Sequence, residues 1–278
     1  MEDDAFSSID FVSQCLQDEE KASAFDKVLK SIIAPDHHVL DIGTGSGILA
    51  LIAARAGANR VTALEFDPFI AEIADNNVKN NGYGEMIEVV VTDARDAVFP
   101  DETTFDVVIM EMLTSGMVDE FQIQASNNLH RKGYVKSSTI FVPHKQETYI
   151  TLANVDYMLH GFKMEMILHA WPYFKNMKIY DCSKPQLLNS IEFSASVDEF
   201  FESIISITII QEGIVNALWL SSKAYVDEKT ILENTVSLNP PVIIPIPERI
   251  VKEGEVMRLS VAYKFGGGYK DFRVKLLP

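Results

Sequence analysis

Two glutamates lie nine positions apart around a short segment that directly follows an apolar run. The run, Phe105 to Met110, is typical of a buried strand, and Glu111 and Glu120 bracket the segment after it. Two carboxylates can bind a planar guanidinium through parallel N–H···O bonds and draw its charge toward the nitrogens they bind. Acids in a loop are commonly solvated, but Glu111 follows the strand at once and Asp119 is the only other charge in the segment. The pair is therefore a candidate clamp for a guanidinium group.

A glycine-rich turn lies upstream, between a predicted strand and a predicted helix. The strand, Val39 to Ile42, contains Asp41 and is followed by three glycines at a G-x-G-x-G spacing, Gly43, Gly45 and Gly47. The dinucleotide-binding fingerprint is G-x-G-x-x-G, which places a pyrophosphate at a helix N-terminus. Asp41 would repel a pyrophosphate but attract an ammonium or sulfonium group. The turn therefore favours a cationic cofactor, although a glycine turn alone could serve only to pack a helix on a strand.

Two further acids stand at the ends of the next two predicted strands. Glu65 ends the strand Arg60 to Glu65, and Asp93 follows the strand Ile87 to Thr92. Open α/β sheets bind ligands at the carboxyl ends of their strands. Glu65 could accept hydrogen bonds from both hydroxyls of a ribose, and Asp93 could accept one from an adenine amino group. Acids at three successive strand ends indicate a ligand site.

The elements that position these acids are strands that alternate with helices. Asp67 and Pro68 have the types expected at a helix N-cap and first helical position. An apolar stripe of helical period follows them, namely Ile70, Ala71, Ile73, Ala74 and Val78. Alternation of this kind from about Lys21 to Phe141 predicts a doubly wound, Rossmann-like parallel sheet.

The pattern changes after Pro143, where β-rich segments separated by turn signals replace the helical stripes. These segments are Glu147–Val155, Ser190–Val197, Ile204–Ile210, Ile214–Tyr225, Val256–Phe265 and Phe272–Leu277. They predict a mostly antiparallel, β-barrel-like second domain. The intervening stretch from Tyr157 to Lys184 is compatible with a helix or an inserted hairpin. We therefore predict a first domain over residues 1–143 and a second over residues 144–278.

Composition restricts the classes of partner. The 278 residues correspond to about two domains at roughly 150 residues each. The net charge of −16 weighs against a general nucleic-acid surface and favours a cationic partner. The only two cysteines, Cys15 and Cys182, lie far apart, which indicates a reducing, cytoplasmic setting. We predict no signal peptide, no membrane span and no metal site, because none of their sequence patterns occurs.

The glycine turn and its acids resemble those of the class I S-adenosylmethionine-dependent methyltransferases, whose first motif is the Asp-x-Gly-x-Gly-x-Gly sequence found here from Asp41 to Gly47. The resemblance implies S-adenosylmethionine as cofactor, with Glu65 holding the ribose and Asp93 contacting the adenine. The full set of cofactor-binding residues that it implies is Lys21, Asp41, Gly43, Thr44, Gly45, Gly47, Glu65, Phe66, Asp93, Ala94 and Glu111.

The two glutamates narrow this resemblance to the protein arginine methyltransferases, whose "double-E" hairpin has two glutamates at the same separation. Further similar segments run through the chain: Cys15–Lys21 before the first strand, Ile140–Pro143 at the hinge, and Gly213–Leu218 and Val251–Glu255 in the barrel. The resemblance implies that Glu111 and Glu120 are catalytic residues that bind the acceptor. It also implies a basic, arginine-containing protein substrate.

The sequence departs from that family at four places. Lys21 replaces an arginine that holds the cofactor carboxylate in that family. Lysine keeps the positive charge but lacks the planar guanidinium that forms two parallel hydrogen bonds with a carboxylate. The Ser237–Val242 stretch replaces a Thr-His-Trp loop, and we interpret His169–Trp171 as packing only. The N-terminal segment, with Phe6, is too short for the family's tyrosine-rich covering helix. The stretch from Tyr157 to Lys184 is shorter than the family's dimerisation arm, which weighs against a homodimer.

We therefore interpret the chain as a methyltransferase whose acceptor is an arginine in a protein. Two alternatives stay open. One is an enzyme of the same architecture that methylates a small molecule or RNA, and the other is a catalytically weak binding scaffold. The physiological substrate, the degree and symmetry of methylation and the oligomeric state depend on features that the sequence does not specify.

Overall fold

The structure is a computed structural model that describes residues 8–170 and 178–278. The first part of the chain forms a five-stranded parallel sheet with the order β3-β2-β1-β4-β5. Its strands are β1 (His38–Ile42), β2 (Arg60–Glu65), β3 (Ile87–Val91), β4 (Phe105–Met110) and β5 (Val135–Val142). The order reverses at β1, where the chain crosses to β4, so the crevice for a ligand is expected beyond the carboxyl ends of these two strands.

Five α-helices accompany this sheet: α1 (Ile9–Leu16), α2 (Glu19–Ile32), α3 (Ile48–Arg55), α4 (Pro68–Asn80) and α5 (Gln122–Lys132). The N-cap predicted at Asp67 is present, since its carboxylate accepts hydrogen bonds from Phe69 N at 2.8 Å and Ile70 N at 3.0 Å. Asp18 caps α2 through Lys21 N at 3.2 Å. Among the described residues, no helix is both long and apolar enough to cross a membrane.

The second part of the chain consists of antiparallel strands. The long ones are β6 (Lys145–Val155), β11 (Gln186–Glu192), β12 (Phe200–Thr208), β13 (Gly213–Tyr225), β15 (Val242–Val251), β16 (Val256–Lys264) and β17 (Arg273–Leu277). The short ones are β7 (Met158–Leu159), β8 (Phe162–Lys163), β9 (Leu168–His169), β10 (Ile179–Asp181) and β14 (Ile231–Leu232). One sheet has the order β10-β6-β13-β15-β9, and another has the order β12-β16-β17. The predicted fold class, a Rossmann-like sheet followed by antiparallel sheets, is confirmed.

A small apolar cluster lies within the antiparallel part around Ala153 and Ala217, and a large apolar core joins the parallel and antiparallel parts. It includes Val107 and Met117 on one side and Leu220 and Tyr263 on the other, all of them buried. β5 ends at Val142 and β6 begins at Lys145. The division into domains at residue 143 stays a prediction, because a shared core does not separate the two parts.

The structure also departs from the predicted elements. β15 was not predicted, since Pro245 and Pro247 lie within it and proline is rare inside paired strands. It pairs with β13 across a register shift between Val215 and Ala217, which accommodates the irregular backbone. Of the two alternatives for the stretch after Tyr157, a helix or an inserted hairpin, its described residues contain a hairpin, β7–β8. Trp171 and Phe6 lie outside the described residues.

Candidate functional site

The glycine turn after β1 folds as the sequence predicts. Gly43, Gly45 and Gly47 have φ values of 71°, 53° and 85°, a region that favours glycine. The amides of Gly43 and Thr44 donate to Leu64 O at 3.0 and 2.9 Å, so the turn is fastened to the end of β2. Gly43 and Gly45 line a cleft at the carboxyl edge of the sheet. Gly47 does not line the cleft, and it begins α3 where that helix packs against Ala74 of α4.

Asp41 lies beneath this turn and not in the cleft. Its carboxylate accepts a hydrogen bond from Thr44 Oγ1 at 2.6 Å, and its side chain is buried. Burial raises the pKa of Asp41 to about 7, against the opposing hydrogen bonds from Thr44 and Ala50 N. The predicted direct attraction between Asp41 and a cationic ligand is therefore corrected: Asp41 shapes the turn through Thr44, which itself lines the cleft.

Glu65 is held in the cleft by three backbone amides. One of its oxygens accepts from Gly45 N at 2.9 Å, and the other accepts from Phe66 N at 2.9 Å and Asp67 N at 3.1 Å. These bonds fix the orientation of the carboxylate, whose oxygens are the kind of acceptor that ribose hydroxyls require. The geometry supplies a fixed carboxylate at the place predicted for the ribose. Phe66 lies beside it with 44% of its surface exposed.

Asp93 also lines the cleft, but it already pairs with a cation. Arg95 Nε donates to both Asp93 oxygens at 2.9 Å, and Arg95 Nη2 donates to one of them at 2.6 Å. Partial burial would raise the pKa of Asp93, but the hydrogen bonds from Arg95 outweigh it and hold that pKa below its ordinary value. Asp93 is thus an oriented, ionised acceptor, and Ala94 lines the cleft next to it.

Lys21 contacts Glu111. Its Nζ donates to Glu111 Oε2 at 2.6 Å, and only 4% of the Lys21 surface is exposed. Burial would lower the pKa of Lys21, but the charge of Glu111 outweighs it and holds that pKa above its ordinary value. The predicted role of Lys21 toward a cofactor carboxylate stays a prediction. In addition, the structure shows that Lys21 forms an ion pair with Glu111, the first of the two glutamates of the candidate clamp.

Glu120 faces the same cleft as Glu111 and is 6% exposed. Within the part of the chain that the structure describes, no hydrogen-bond donor or cation pairs with Glu120. Burial raises the pKa of Glu120 well above its ordinary value, and the charges of Glu111 and Asp119 raise it further. Burial likewise raises the pKa of Glu111, opposed by Lys21. A cation placed between these carboxylates would relieve both penalties.

The segment between the two glutamates is fastened to the antiparallel sheets. Gln146 donates to Thr114 O at 2.9 Å, and Gly116 N donates to Ser222 Oγ at 3.0 Å. The amides of Gly266 and Gly268 donate to Met117 O and Val118 O at 3.1 and 2.8 Å. The loop contains Gly116 at φ 77°. Because these bonds fasten the loop to the sheets along its length, they keep Glu111 and Glu120 in place.

α1 supplies residues that sequence reasoning missed. Phe11, Val12 and Cys15 line the cleft, so a helix covers it although the N-terminal segment is short. The spacing of these residues, together with Ser8, which accepts from Phe11 N at 3.4 Å, is the signal that could have predicted α1. Other unpredicted lining residues are Ala22, Ile42, Ser46, Ile48, Leu49, Leu64, Thr92, Arg95, Met112, Phe121 and Ala125.

The stretch that replaces the Thr-His-Trp loop contacts the N-cap of α2. Asp18 accepts from Ser237 N at 2.9 Å and Ser237 Oγ at 2.8 Å, and from Thr235 Oγ1. The stretch from Thr235 to Ser237 therefore ties the helices to the antiparallel sheets.

His169, interpreted as packing, lies in β9 beside β15, with its ring 5.8 Å from that of Tyr269. Burial lowers the pKa of His169, and the charge of nearby Asp119 opposes this.

These side chains fit S-adenosylmethionine. The cleft offers a fixed acceptor at Glu65 for a diol and an oriented acceptor at Asp93 for an amino group, and Lys21, which is paired with Glu111, also lines it. Its lining is otherwise largely apolar, and its empty volume of about 1170 Å³, which includes open solvent, can take a nucleoside with an amino-acid tail. Among the described residues, no group of acids, histidines and cysteines has a metal-binding arrangement.

Fold and cleft together define a class I S-adenosylmethionine-dependent methyltransferase. The family model described as ribosomal protein L11 methyltransferase (PrmA) matches residues 23–171, more than half of the chain, and the chain belongs to this methyltransferase family. S-adenosylmethionine is its cofactor, as predicted.

Relatives and solved structures extend the similarity to the whole chain. An uncharacterized protein of Methanocaldococcus jannaschii is 30% identical over 94% of both chains. An arginine N(omega)-methyltransferase of Streptomyces achromogenes is 27% identical over 94% of this chain and 76% of its own. Among solved structures, the PRMT1 enzyme–prozyme heterotetrameric complex of Trypanosoma brucei with AdoHcy has a TM-score of 0.76 at 18% identity, covering 93% of this chain and 89% of that one. Protein arginine methyltransferase 10 of Arabidopsis thaliana has a TM-score of 0.75 at 16% identity, covering 98% of both chains. The two structures share the fold of this chain, as the predicted resemblance required.

Proposed function

We propose that this methyltransferase transfers the methyl group of S-adenosylmethionine to a guanidinium nitrogen of arginine in a protein substrate. The observation that carries the proposal is that the partly exposed Glu111 and the buried Glu120 line one cleft with Glu65 and Asp93, the residues predicted to bind the cofactor. A guanidinium is the planar cation that two carboxylates can bind with parallel hydrogen bonds. The similarity to a protein named arginine N(omega)-methyltransferase supports a guanidinium as the acceptor group.

The charges of the site suit this acceptor. Lys21 forms an ion pair with Glu111 and its charge also opposes the raised pKa of Glu120, but among the residues described no cation forms an ion pair with Glu120, and a guanidinium can supply that partner. A bound guanidinium favours the ionised form of both glutamates, whose pKa values burial raises. The two carboxylates would hold the cation and leave one nitrogen facing the methyl group.

The bound cofactor supplies an activated methyl group on a sulfonium. The guanidinium nitrogen forms a bond to that carbon as the carbon–sulfur bond breaks, and the sulfonium becomes a neutral thioether. The nitrogen that attacked then gives up one proton to water, so the methylated product is again a guanidinium with a single positive charge. In this account Glu111 and Glu120 contribute mainly position and electrostatics, since the leaving group is already activated.

A second acceptor, free arginine, is favoured by one finding. The Streptomyces achromogenes relative, which aligns over 94% of this chain, is named for arginine itself. A free amino acid would use the same two carboxylates for its guanidinium. The two acceptors differ only in what lies outside the clamp, so the assay must present both.

The test is a methyl-transfer assay with radiolabelled S-adenosylmethionine, an arginine–glycine peptide and free L-arginine, followed by acid hydrolysis and amino-acid analysis. We expect labelled methylarginine, with peptide as the better acceptor. Glu111→Gln and Glu120→Gln should each lower kcat/KM by about 100-fold or more, since transition-state electrostatics of this kind are worth roughly that much. Calorimetry should show cofactor binding retained.

Glu72→Gln, an exposed acid on α4, is the matched control and should keep full turnover. Another labelled product would assign a different acceptor. The absence of transfer to any basic peptide, small amine or lysate protein would support a binding scaffold instead. Unchanged turnover in both cleft variants would remove the two glutamates from the reaction.

A further inference from the structure

Arg95 joins the two halves of the cleft. Its guanidinium binds the Asp93 carboxylate through three hydrogen bonds, and its central carbon lies 4.0 Å from the centroid of the Phe121 ring. Both geometries are attractive, the first as a charge-assisted pair and the second as a cation–π contact. Phe121 directly follows Glu120 in the chain. Arg95 therefore lies between the acid predicted to contact adenine and the second acid of the clamp.

The antiparallel part of the chain also lies close to the Phe121 ring. A methyl group placed on Gly266 would lie 2.8 Å from Phe121 Cδ1, which is closer than such contacts allow. The Phe121 ring therefore contacts Arg95 and lies close to Gly266. Phe121 is the N-cap residue of α5 and the neighbour of Glu120 in the chain, so Arg95 packs directly at the start of that helix.

A second link connects the same two segments. The buried Asn128 of α5 donates from Nδ2 to Ala94 O at 3.1 Å and to Ala97 O at 3.0 Å. The loop of Asp93 and Arg95 is therefore bonded to α5 at a point about two turns along the helix, in addition to the contact at its start. The two contacts make the loop and the helix a connected unit.

We propose that Arg95 is a positioning residue through which cofactor bound at Asp93 orders Glu120 for the acceptor, a role that rests on the proposed function. When the Asp93 carboxylate is engaged by the adenine, its partner Arg95 is fixed in turn. Arg95 then holds the Phe121 ring against Gly266 and keeps the adjacent Glu120 in the cleft. The enzyme binds its acceptor best after its cofactor, and the coupling is reciprocal.

The test uses hydrogen exchange measured by mass spectrometry, because it needs no acceptor. In the unaltered protein, saturating S-adenosylhomocysteine should slow exchange of the amides from 111 to 125 by at least fivefold. Arg95→Ala at saturation should lose this protection, and Arg95→Lys should keep part of it, because lysine retains the cation but not the fork. Arg55→Ala, which removes another arginine–aspartate pair on the sheet's helices, should behave like the unaltered protein.

Calorimetry supplies the second readout. With an arginine–glycine peptide as probe, S-adenosylhomocysteine should tighten peptide binding by about fivefold or more, within the usual range of coupling, and Arg95→Ala should abolish that factor. Exchange that is unaffected by cofactor, or equally slowed in saturated Arg95→Ala, overturns the role of Arg95. If cofactor protects the segment but no peptide binds, the proposed arginine acceptor fails while the role of Arg95 stands.

Discussion

At the scale of single residues, the two clamp acids need to be ionised in a place that disfavours their charge. Burial raises the pKa of Glu120 well above its ordinary value of 4.5, and that of Glu111 is raised as well. We predict that kcat/KM rises with pH along an acid limb that lies above 4.5, because only the ionised pair binds a guanidinium. The measurement is a pH series of initial rates.

A comparison of kcat with kcat/KM identifies the group responsible. Bound guanidinium favours the ionised glutamates, so the acid limb of kcat should lie at lower pH than that of kcat/KM. Asp41, whose pKa is raised to about 7, lies outside the cleft, so a limb due to Asp41 would fall at nearly the same pH in both profiles. Lys21→Met should move the kcat/KM limb further up, since it removes the cation beside Glu111. A limb at the ordinary glutamate value would contradict the prediction.

The residue types of this site could be predicted from sequence better than their contacts. Glu65 ends a predicted strand, Glu111 directly follows another and Glu120 ends the segment after Glu111, and the topology brings strand ends to one edge, so their shared cleft was foreseeable. The pairing of Lys21 with Glu111 joins residues 90 positions apart, and no local pattern specifies it. Asp41 was misplaced for the converse reason: its motif position is recognisable, but only the folded turn shows that Thr44 holds it underneath.

At the scale of elements, Asp18 performs two functions at once. It caps α2, and it accepts three hydrogen bonds from Thr235 and Ser237 in the antiparallel part. We predict that Asp18→Ala lowers the free energy of unfolding by about 4 kcal/mol or more, since a lost cap costs roughly 1 kcal/mol and each of the three buried donors left unpaired costs about 1–3 kcal/mol. Urea unfolding at neutral pH measures the change.

Asp67→Ala is the matched control, because Asp67 caps α4 through two amides of its own helix. It should lose only about 1 kcal/mol, the value of a cap. Burial would raise the pKa of Asp18, but its hydrogen bonds outweigh this and hold the pKa below 3.8. The stabilisation due to the Asp18 carboxylate is therefore present above pH 3.8 and is lost as the pH falls through the lower pKa that Asp18 has in the folded protein. In that acidic range the free energies of unfolding of the unaltered protein and Asp18→Ala should converge. Equal losses in the two variants at neutral pH would mean that the contacts with Thr235 and Ser237 contribute nothing.

Strands were predictable where a short, mostly apolar run is flanked by turns. β2 and β4 are such runs, and both have the predicted bounds. β15 could not be predicted, because prolines deny it a regular hydrogen-bond pattern and its partner β13 tolerates it through a register shift. The two strands of the β7–β8 hairpin have only two residues each, which is too short to show a periodicity. The sequence therefore could not decide between a hairpin and a helix there.

At the scale of the whole molecule, the net charge of −16 creates a field that acts before any contact forms. Such a field raises the encounter rate and local concentration of cations, and salt screens it over about 10 Å at 0.1 M. An arginine-rich peptide carries several charges, whereas free arginine at neutral pH carries one net positive charge. The field should therefore discriminate between the two proposed acceptors through KM and leave the buried clamp, and hence kcat, unchanged.

We predict that raising the salt concentration from about 0.05 to 0.5 M increases KM for an arginine-rich peptide by roughly tenfold, because attraction over the molecular surface is lost. KM for free arginine should change by less than about twofold, since its guanidinium is held by buried carboxylates that salt screens weakly. Replacing sodium chloride with an uncharged osmolyte controls for water activity. If KM for both acceptors rose equally, the acidic surface would have no part in choosing the substrate, and selection would rest on the clamp alone.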